Sequence, residues 1–381
     1  MSLFPPAAKP KSHLGYYKLL GPNCGLRVSP ICLGAMNFGE AWKGAMGTCA
    51  KDNTFEMLDF FKSHGGNFID TANNYQNEES ETWLGEWMAQ RDCRDQMVIA
   101  TKYTTGFKGY LGDKMIQANH GGNNAKSMKI SVEASLKKLQ TDYIDILYVH
   151  WWSYDTPIEE VMHYLNDLVV SGKVIYLGIS DTPAWIVSKA NTYARAHGLR
   201  PFVVYQGQWS AAQRSFEREI IPMCRAEGMA IAPWGALGGG MFKTEEQFKN
   251  EDRRKMREPT DAQLKLCKVL EEIANRKGTV MTSIALAYVL HKTPHVFPIC
   301  GGRSVKHLEQ NIQALGLKLT REDIVEIDDA YPFERGFPYS MLAPNVTHDE
   351  IKPEDLWFTN SIAHIESVPL PGPLPAGAHK V

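Results

Sequence analysis

The chain has 381 residues, 44% of them hydrophobic and 22% charged, enough for one large domain or two of medium size. Its 41 basic and 43 acidic residues leave a net charge of -2, without the basic excess or basic stripe expected of a nucleic-acid binder. No apolar run approaches the roughly 18 residues that span a bilayer, so neither nucleic acid nor membrane is an expected partner.

Residues 1–13 are Pro-rich, lack the apolar core of a signal peptide and read as a flexible N-terminus. A reducing, cytoplasmic compartment is the expectation. The seven cysteines are scattered without a C-x-x-C pair, which argues against a disulfide framework and against a metal site. Cys32, Cys267 and Cys300 sit among apolar residues and are expected to be buried. Tyr16 to Val28 holds two short runs around Gly21-Pro22-Asn23, the pattern of a small hairpin.

From Ile31 onward a short apolar run, a loop and an amphipathic helix repeat. Ile31–Gly34 leads to a helix over about Thr54 to His64, and Asn67–Asp70 to one over about Ser80 to Gln90. Met97–Lys102 precedes a helix with Met128, Val132, Leu136 and Leu139 on a single stripe. Tyr143–His150 precedes one carrying Ile158, Val161, Leu165 and Leu168, closed by Gly172. Val174–Ser180 is followed by Thr182-Pro183, where proline suits a first helical turn. Phe202–Gln206 precedes a helix near Glu217 to Glu227. Met229–Pro233 precedes an insertion and helices near Asp261 to Arg276 and Met281 to His291. Within that insertion the basic cluster Arg253-Arg254-Lys255 lies in a mixed-charge segment with Glu251, Asp252 and Glu258, which reads as a solvated helix face. Val296–Cys300 leads through Gly301-Gly302-Arg303 to a helix with Val305, Leu308, Ile312 and Leu315, and a last helix lies near Arg321 to Ala330.

Eight such units predict a parallel sheet sheathed in helices, either a closed barrel or an open doubly wound sheet. No G-x-G-x-x-G follows the first strand, and eight units over about 290 residues suit closure. The expected fold is therefore α/β: a (β/α)8 TIM barrel with an N-terminal hairpin and long βα loops. It spans residues 14–335 as one domain, with a Pro- and aromatic-rich tail over 336–381 that either folds over the barrel mouth or loses order past about Phe358.

The C-terminal strand ends of such a barrel carry its active site. Asp70 ends the second strand with Tyr75 just beyond, Lys102 ends the third and His150 the fourth. Each alone has an ordinary reading: a turn cap, a loop aromatic, a surface lysine, a core histidine. At three consecutive strand ends they suggest a catalytic group. An ammonium near Tyr75 would lower its pKa, Asp70 would balance Lys102, and His150 would position a carbonyl oxygen that Tyr75 protonates. Ser180-Asp181, Gln206, Trp234 and Arg303 end or follow the later strands.

These residues resemble the signatures of the aldo-keto reductase superfamily over about Leu14 to Pro338. Gly66-Asn-Phe-Ile-Asp70-Thr-Ala72, Tyr75, Lys102 and His150 are similar to its Asp/Tyr/Lys/His tetrad. Asp142-Tyr143-Ile144-Asp145, Gly178-Ile-Ser180-Asp-Thr-Pro-Ala-Trp185, Tyr205-Gln206-Gly-Gln-Trp209 and Ala232-Pro-Trp234-Gly resemble the fungal aryl-alcohol dehydrogenase and norsolorinic acid reductase-like branch. The resemblance implies NADP(H) as cofactor, with no metal. It implies that Ser180, Asp181 and Gln206 meet the carboxamide and that Trp234 stacks on the nicotinamide, with Gly235 and Leu237 beside it. The Gly238-Gly239-Gly240 loop would lie near the pyrophosphate. Gly301, Gly302, Arg303, Ser304, His307, Gln310 and Asn311 would hold the adenosine end. A glycine turn entering a helix is an anion site in its own right, and arginine suits a 2′-phosphate. Asp181 and Gln310 depart from the Asn and Glu of many family members.

Trp42, Phe107, Trp151, Trp152 and Trp209 are candidates for an aromatic substrate pocket, or alternatively for core packing. The expected partner is a small carbonyl compound or alcohol; the sequence leaves the oligomeric state open. Three functions follow: aryl aldehyde or ketone reduction and its reverse, reduction of a polyketide intermediate in fungal secondary metabolism, or cofactor sensing by a regulatory subunit resembling potassium channel β subunits.

Overall fold

The computed structural model describes residues 3–244, 246–247 and 259–374. The basic cluster Arg253-Arg254-Lys255 lies outside the described residues. A hairpin of β1 (Lys18–Gly21) and β2 (Cys24–Val28) precedes eight parallel strands: β3 (Cys32–Gly34), β4 (Phe68–Asp70), β5 (Val98–Tyr103), β6 (Ile144–Val149), β7 (Val174–Ser180), β8 (Phe202–Gln208), β9 (Ala230–Trp234) and β10 (Ile299–Gly301). Their spatial order, β10-β3-β4-β5-β6-β7-β8-β9, follows the chain apart from β10 returning beside β3. The ring closes just ahead of β10, where Ile231 bridges Val296 and the Phe297 N–H donates to the Ile231 carbonyl at 2.8 Å. This is the closed (β/α)8 barrel expected from eight units.

The strand runs look uniformly apolar because both faces are buried, but alternation decides what each face meets. Phe68, Val98, Ala100, Ile146, Tyr148, Val204, Ala230, Ala232 and Phe297 form an interior cluster, which the hairpin residues Leu20, Cys24 and Val28 plug. The intervening residues, such as Ile99, Leu147 and Ile179, join the layer between sheet and helices. Tyr148 fills the axis only because its neighbour in register is Gly178, where a Cβ would come within 2.5 Å of the tyrosine ring. One step further along the same alternation lies a polar layer: Asp70, Lys102, His150, Ser180 and Gln206. The barrel is therefore apolar below and polar at its C-terminal rim.

Several boundaries shift from the sequence reading. The helix after β7 runs Ala184–Ala196, so Pro183 sits at its N-cap and not within its first turn. The helix Ile158–Val170 ends on Ser171, and Gly172 follows with φ 77°. Residues 12–14 are tied down: the Ser12 hydroxyl donates to the His64 carbonyl at 2.6 Å, and Leu14 is buried. All seven cysteines are buried and free. No described helix is long and apolar enough to cross a membrane.

The tail is described to residue 374, and its hydrogen bonds run to the outer helices. Tyr339 donates to Glu219, Arg225 to the Pro371 carbonyl, and Lys292 to the His348 carbonyl. Between tail and barrel lies a cavity of about 350 Å³ bordered by Arg225, His291, Lys292 and Arg335.

Candidate active site

Asp70 and Lys102 end inward-facing positions on neighbouring strands, so their side chains meet over the barrel axis. The Lys102 ammonium, fully buried, donates to Asp70 Oδ1 at 2.6 Å, to the Thr71 carbonyl at 2.7 Å and to the Tyr75 hydroxyl at 3.2 Å. Gln206 Nε2 donates to the other carboxylate oxygen of Asp70 at 2.9 Å. The amide nitrogen of Gln206, a residue that the resemblance places at a cofactor carboxamide, braces Asp70. Burial alone would lower the Lys102 pKa, but Asp70 first and Tyr75 next push it up to about 12, so the ammonium persists.

Tyr75 differs from the expectation in one respect. Burial raises its phenol pKa above the ordinary value, and Asp70 adds to that, while Lys102 opposes both. The ammonium was expected to win; desolvation of the phenolate wins instead. His150 stands edge-on to Tyr75, ring centroids 6.0 Å apart. Burial, then the Lys102 charge, lowers its pKa to about 3, so the imidazole is neutral at ordinary pH. All four tetrad residues are thus brought together.

What holds Tyr75 there was not apparent from the sequence. Gln76, Asn77 and Glu78 all have left-handed backbone (φ 52°, 51° and 82°) without a glycine among them. Such conformations cost of order 1 kcal/mol or more each and persist when surrounding contacts impose them. Here Gln76 is fully buried, donates to the Met36 carbonyl and accepts from the Trp42 N–H at 2.7 Å. Asn77 accepts from the Trp42 indole at 3.0 Å, and Glu78 pairs with Lys108 and Lys138. The turn therefore fastens the loops after β3 and β5 to the tyrosine.

The aromatic candidates divide. Trp42 lies edge-on to Tyr75 at 6.3 Å, and Trp151 is 39% exposed at the mouth. Phe107, Trp152 and Trp209 are buried and do not line an open pocket. Phe107 packs under Lys108 and Lys138, Trp152 joins the core, and Trp209 stacks on Phe216 with its indole donating to Glu217. Adjacent residues Trp151 and Trp152 face opposite ways, so only one of them could reach the mouth.

Around β7–β10 lie the residues expected to meet a dinucleotide. The Trp234 indole, 36% exposed, donates to Asp181 at 3.2 Å, and Asp181 has φ 42°. Burial raises the Asp181 pKa, countered by Trp234 and Lys102. The Ser180 hydroxyl is buried beside Asp181 and makes no hydrogen bond of good geometry among the described residues. Gly235 and Gly238–Gly240 all have positive φ, and Leu237 packs on the core. Phe242, Lys243, Thr244, His307 and Gln310 border a cavity of about 630 Å³, a volume suited to a nucleoside. A Cβ at Gly302 would lie 3.5 Å from the Cβ of His307, an ordinary contact, and Ser304 stands at the N-cap of the helix Val305–Ala314. Arg303 is exposed, its guanidinium 3.5 Å from the Met46 carbonyl, whereas Asn311 is buried. The Asp142–Asp145 stretch is structural: Asp145 accepts from the Ile99 N–H at 2.9 Å and pairs with Arg94. Among the described residues no group of His, Cys, Asp and Glu has the arrangement to hold a metal ion.

A parallel eight-stranded barrel whose rim joins Asp, Lys, Tyr and His defines a class, and residues 30–332 match it: the chain belongs to the aldo/keto reductase family. Its relatives narrow the branch. It is 59% identical over 332 residues to norsolorinic acid reductase B of Dothistroma septosporum, covering 86% of this chain and 84% of that one. It is 52% identical to norsolorinic acid reductase A of Aspergillus parasiticus, over 98% of this chain and 96% of that one. To the NADP(+) aryl-alcohol dehydrogenase of Phanerodontia chrysosporium it is 47% identical, over 94% and 97% respectively.

Proposed function

We propose that this protein is an NADP(H)-dependent oxidoreductase that interconverts aryl aldehydes or ketones with their alcohols. The observation that carries the reading is the Asp70–Lys102–Tyr75 chain, with Lys102 Nζ 2.6 Å from the carboxylate and 3.2 Å from the phenol, beside a neutral His150. Ser180, Asp181, Trp234, Arg303, His307 and Gln310 would hold NADPH, which supplies a hydride when bound. The chain's own residues supply the rest. Tyr75 stays protonated at neutral pH because burial holds its pKa up, and it donates its proton to the substrate oxygen. Lys102 stabilises the phenolate that remains, and Asp70 keeps the ammonium in place. His150 donates a hydrogen bond to the same oxygen. Trp42 and Trp151 offer aromatic faces to a ring-bearing substrate.

A second reading, reduction of a polyketide-derived aryl ketone, draws support from the relatives named norsolorinic acid reductases. The test is NADPH oxidation against aryl aldehydes, aryl ketones and polyketide carbonyls. Turnover of simple aryl aldehydes supports the first reading, and turnover confined to polyketide ketones the second. NADPH binding without reduction of any carbonyl would sink both and favour a cofactor sensor.

A further inference from the structure

A threonine hydrogen-bonded to the His150 ring is left unused by the catalytic scheme. Thr105 Oγ1 lies 3.1 Å from His150 Nδ1 and accepts from the Trp151 indole N–H at 3.0 Å. Its place is enforced by its neighbour. Thr104 is fully buried with φ 91°, an unusual conformation for a β-branched residue. Three contacts impose it: Thr104 Oγ1 accepts from Asn123 Nδ2 at 3.1 Å and from the His150 N–H at 3.3 Å, and the Thr104 carbonyl accepts from the Gly122 N–H at 2.8 Å. Asn73, between Asp70 and Tyr75 in sequence, donates to the Thr105 carbonyl at 3.2 Å. The turn after β5 is thus built to present one hydroxyl to one imidazole nitrogen.

The donor count favours one tautomer. A hydroxyl carries one proton and two lone pairs, and an indole N–H only donates. The indole takes one lone pair of Thr105. Were His150 Nδ1 also protonated, it would take the second, and the hydroxyl proton of this half-buried residue would be left to solvent. With Nδ1 as acceptor every group is used, and the ring proton sits on Nε2. We propose that Thr105 is a positioning residue: its hydroxyl donates to Nδ1 and holds His150 in the Nε2–H tautomer that donates a hydrogen bond to the substrate oxygen. The last clause rests on the proposed carbonyl chemistry. The neutral state of the ring is consistent with it, since a protonated imidazole would donate from both nitrogens and need no such selection.

The test combines nitrogen-15 NMR of the imidazoles with kinetics in wild type, Thr105→Val and Thr105→Ser, the His150 signals being assigned by their loss in His150→Gln. Wild type and Thr105→Ser are expected to show a pyridine-like Nδ1 and a pyrrole-like Nε2. Thr105→Val is expected to mix or reverse the tautomers and to lower kcat by about ten- to a hundredfold, less than the roughly hundred- to thousandfold loss on outright removal of one oriented donor, because the Nε2–H form is depleted and not abolished. NADPH affinity should stay unchanged in all three. A protonated Nδ1 in wild type overturns the proposal, as does a Thr105→Val protein with wild-type tautomer and kcat. If the tautomer shift occurs but no variant, wild type included, reduces any carbonyl, the assignment of Thr105 stands and the reductase reading falls.

Discussion

The Asp70–Lys102 pair is the part of the site whose energetics follow most directly from the structure. Both groups are buried, and their charges lie 2.6 Å apart. At an effective dielectric constant near 20 that separation gives an attraction of about 6 kcal/mol. Removing each ion from water costs several kcal/mol, so the pair as a whole is close to neutral for folding. Loss of one partner is different, because it strands the other. Asp70→Asn either turns its amide NH2 toward the Lys102 ammonium or gives up the bond from Gln206. Lys102→Met leaves an uncompensated carboxylate. Each single change is expected to cost about 3–5 kcal/mol. The double variant Asp70→Asn/Lys102→Met should cost less than the two singles summed, by about 2–3 kcal/mol, since no buried charge is left. Urea unfolding followed by tryptophan fluorescence measures all four corners of the cycle. A double variant whose loss equals the sum of the singles would refute the claim that these charges are carried as a pair. The double variant should fold and still fail to turn over, which separates the pair's structural term from its service to Tyr75.

Tyr75→Phe should keep NADPH affinity while carbonyl reduction falls by orders of magnitude; stopped-flow and binding titrations check this, and near-normal turnover would remove Tyr75 as proton donor. Arg303→Ala should weaken NADPH binding far more than NADH binding, whereas equal losses would separate the guanidinium from the 2′-phosphate. His150 gives a pH prediction. Its pKa falls from 6.5 to about 3 on folding, so the unfolded chain takes up a proton between those values that the folded chain does not. Stability from this group is present above pH 6.5 and is lost as pH falls, by about 3 kcal/mol at pH 4.5. His150→Gln should lose less stability than wild type between pH 7 and 4.5 in urea unfolding; equal losses would contradict a neutral buried ring.

The barrel was legible because each strand leaves a local mark: a short apolar run, a polar residue at its end, then a helical stripe. That mark located Asp70, Lys102 and His150, since a charged or imidazole side chain at the end of a short buried run has few places to go but the rim. Tyr75 came with them through the resemblance and its short distance from Asp70. The contacts that complete the site leave no such mark. Gln206 reaches Asp70 across the barrel from a position 136 residues away. Closure of the sheet makes that contact, and nothing in either local segment encodes it. The aromatic candidates divide for a related reason: composition says that a tryptophan is near a strand end, but only the folded chain says whether it is exposed, as Trp151 is, or buried in the core, as Trp152 is.

The strained residues make the same point about causes. Left-handed backbone normally announces itself through glycine, yet Gln76, Asn77, Glu78 and Thr104 adopt it without one. In each case a side chain or backbone group of the strained segment is hydrogen-bonded or ion-paired to another part of the chain: Gln76 and Asn77 to the loop after β3, Glu78 to Lys108 and to Lys138 of the helix Ala125–Leu139, Thr104 to Asn123 and His150. The strain is therefore a property of the assembled rim. It also lies where rigidity matters, on the two turns that set Tyr75 and the imidazole beside it. A glycine at these positions would relieve the backbone but remove the side chains that fix the loops. Both turns accordingly keep the more costly residue, and the two proton-handling groups are placed by tertiary contacts rather than by local propensity.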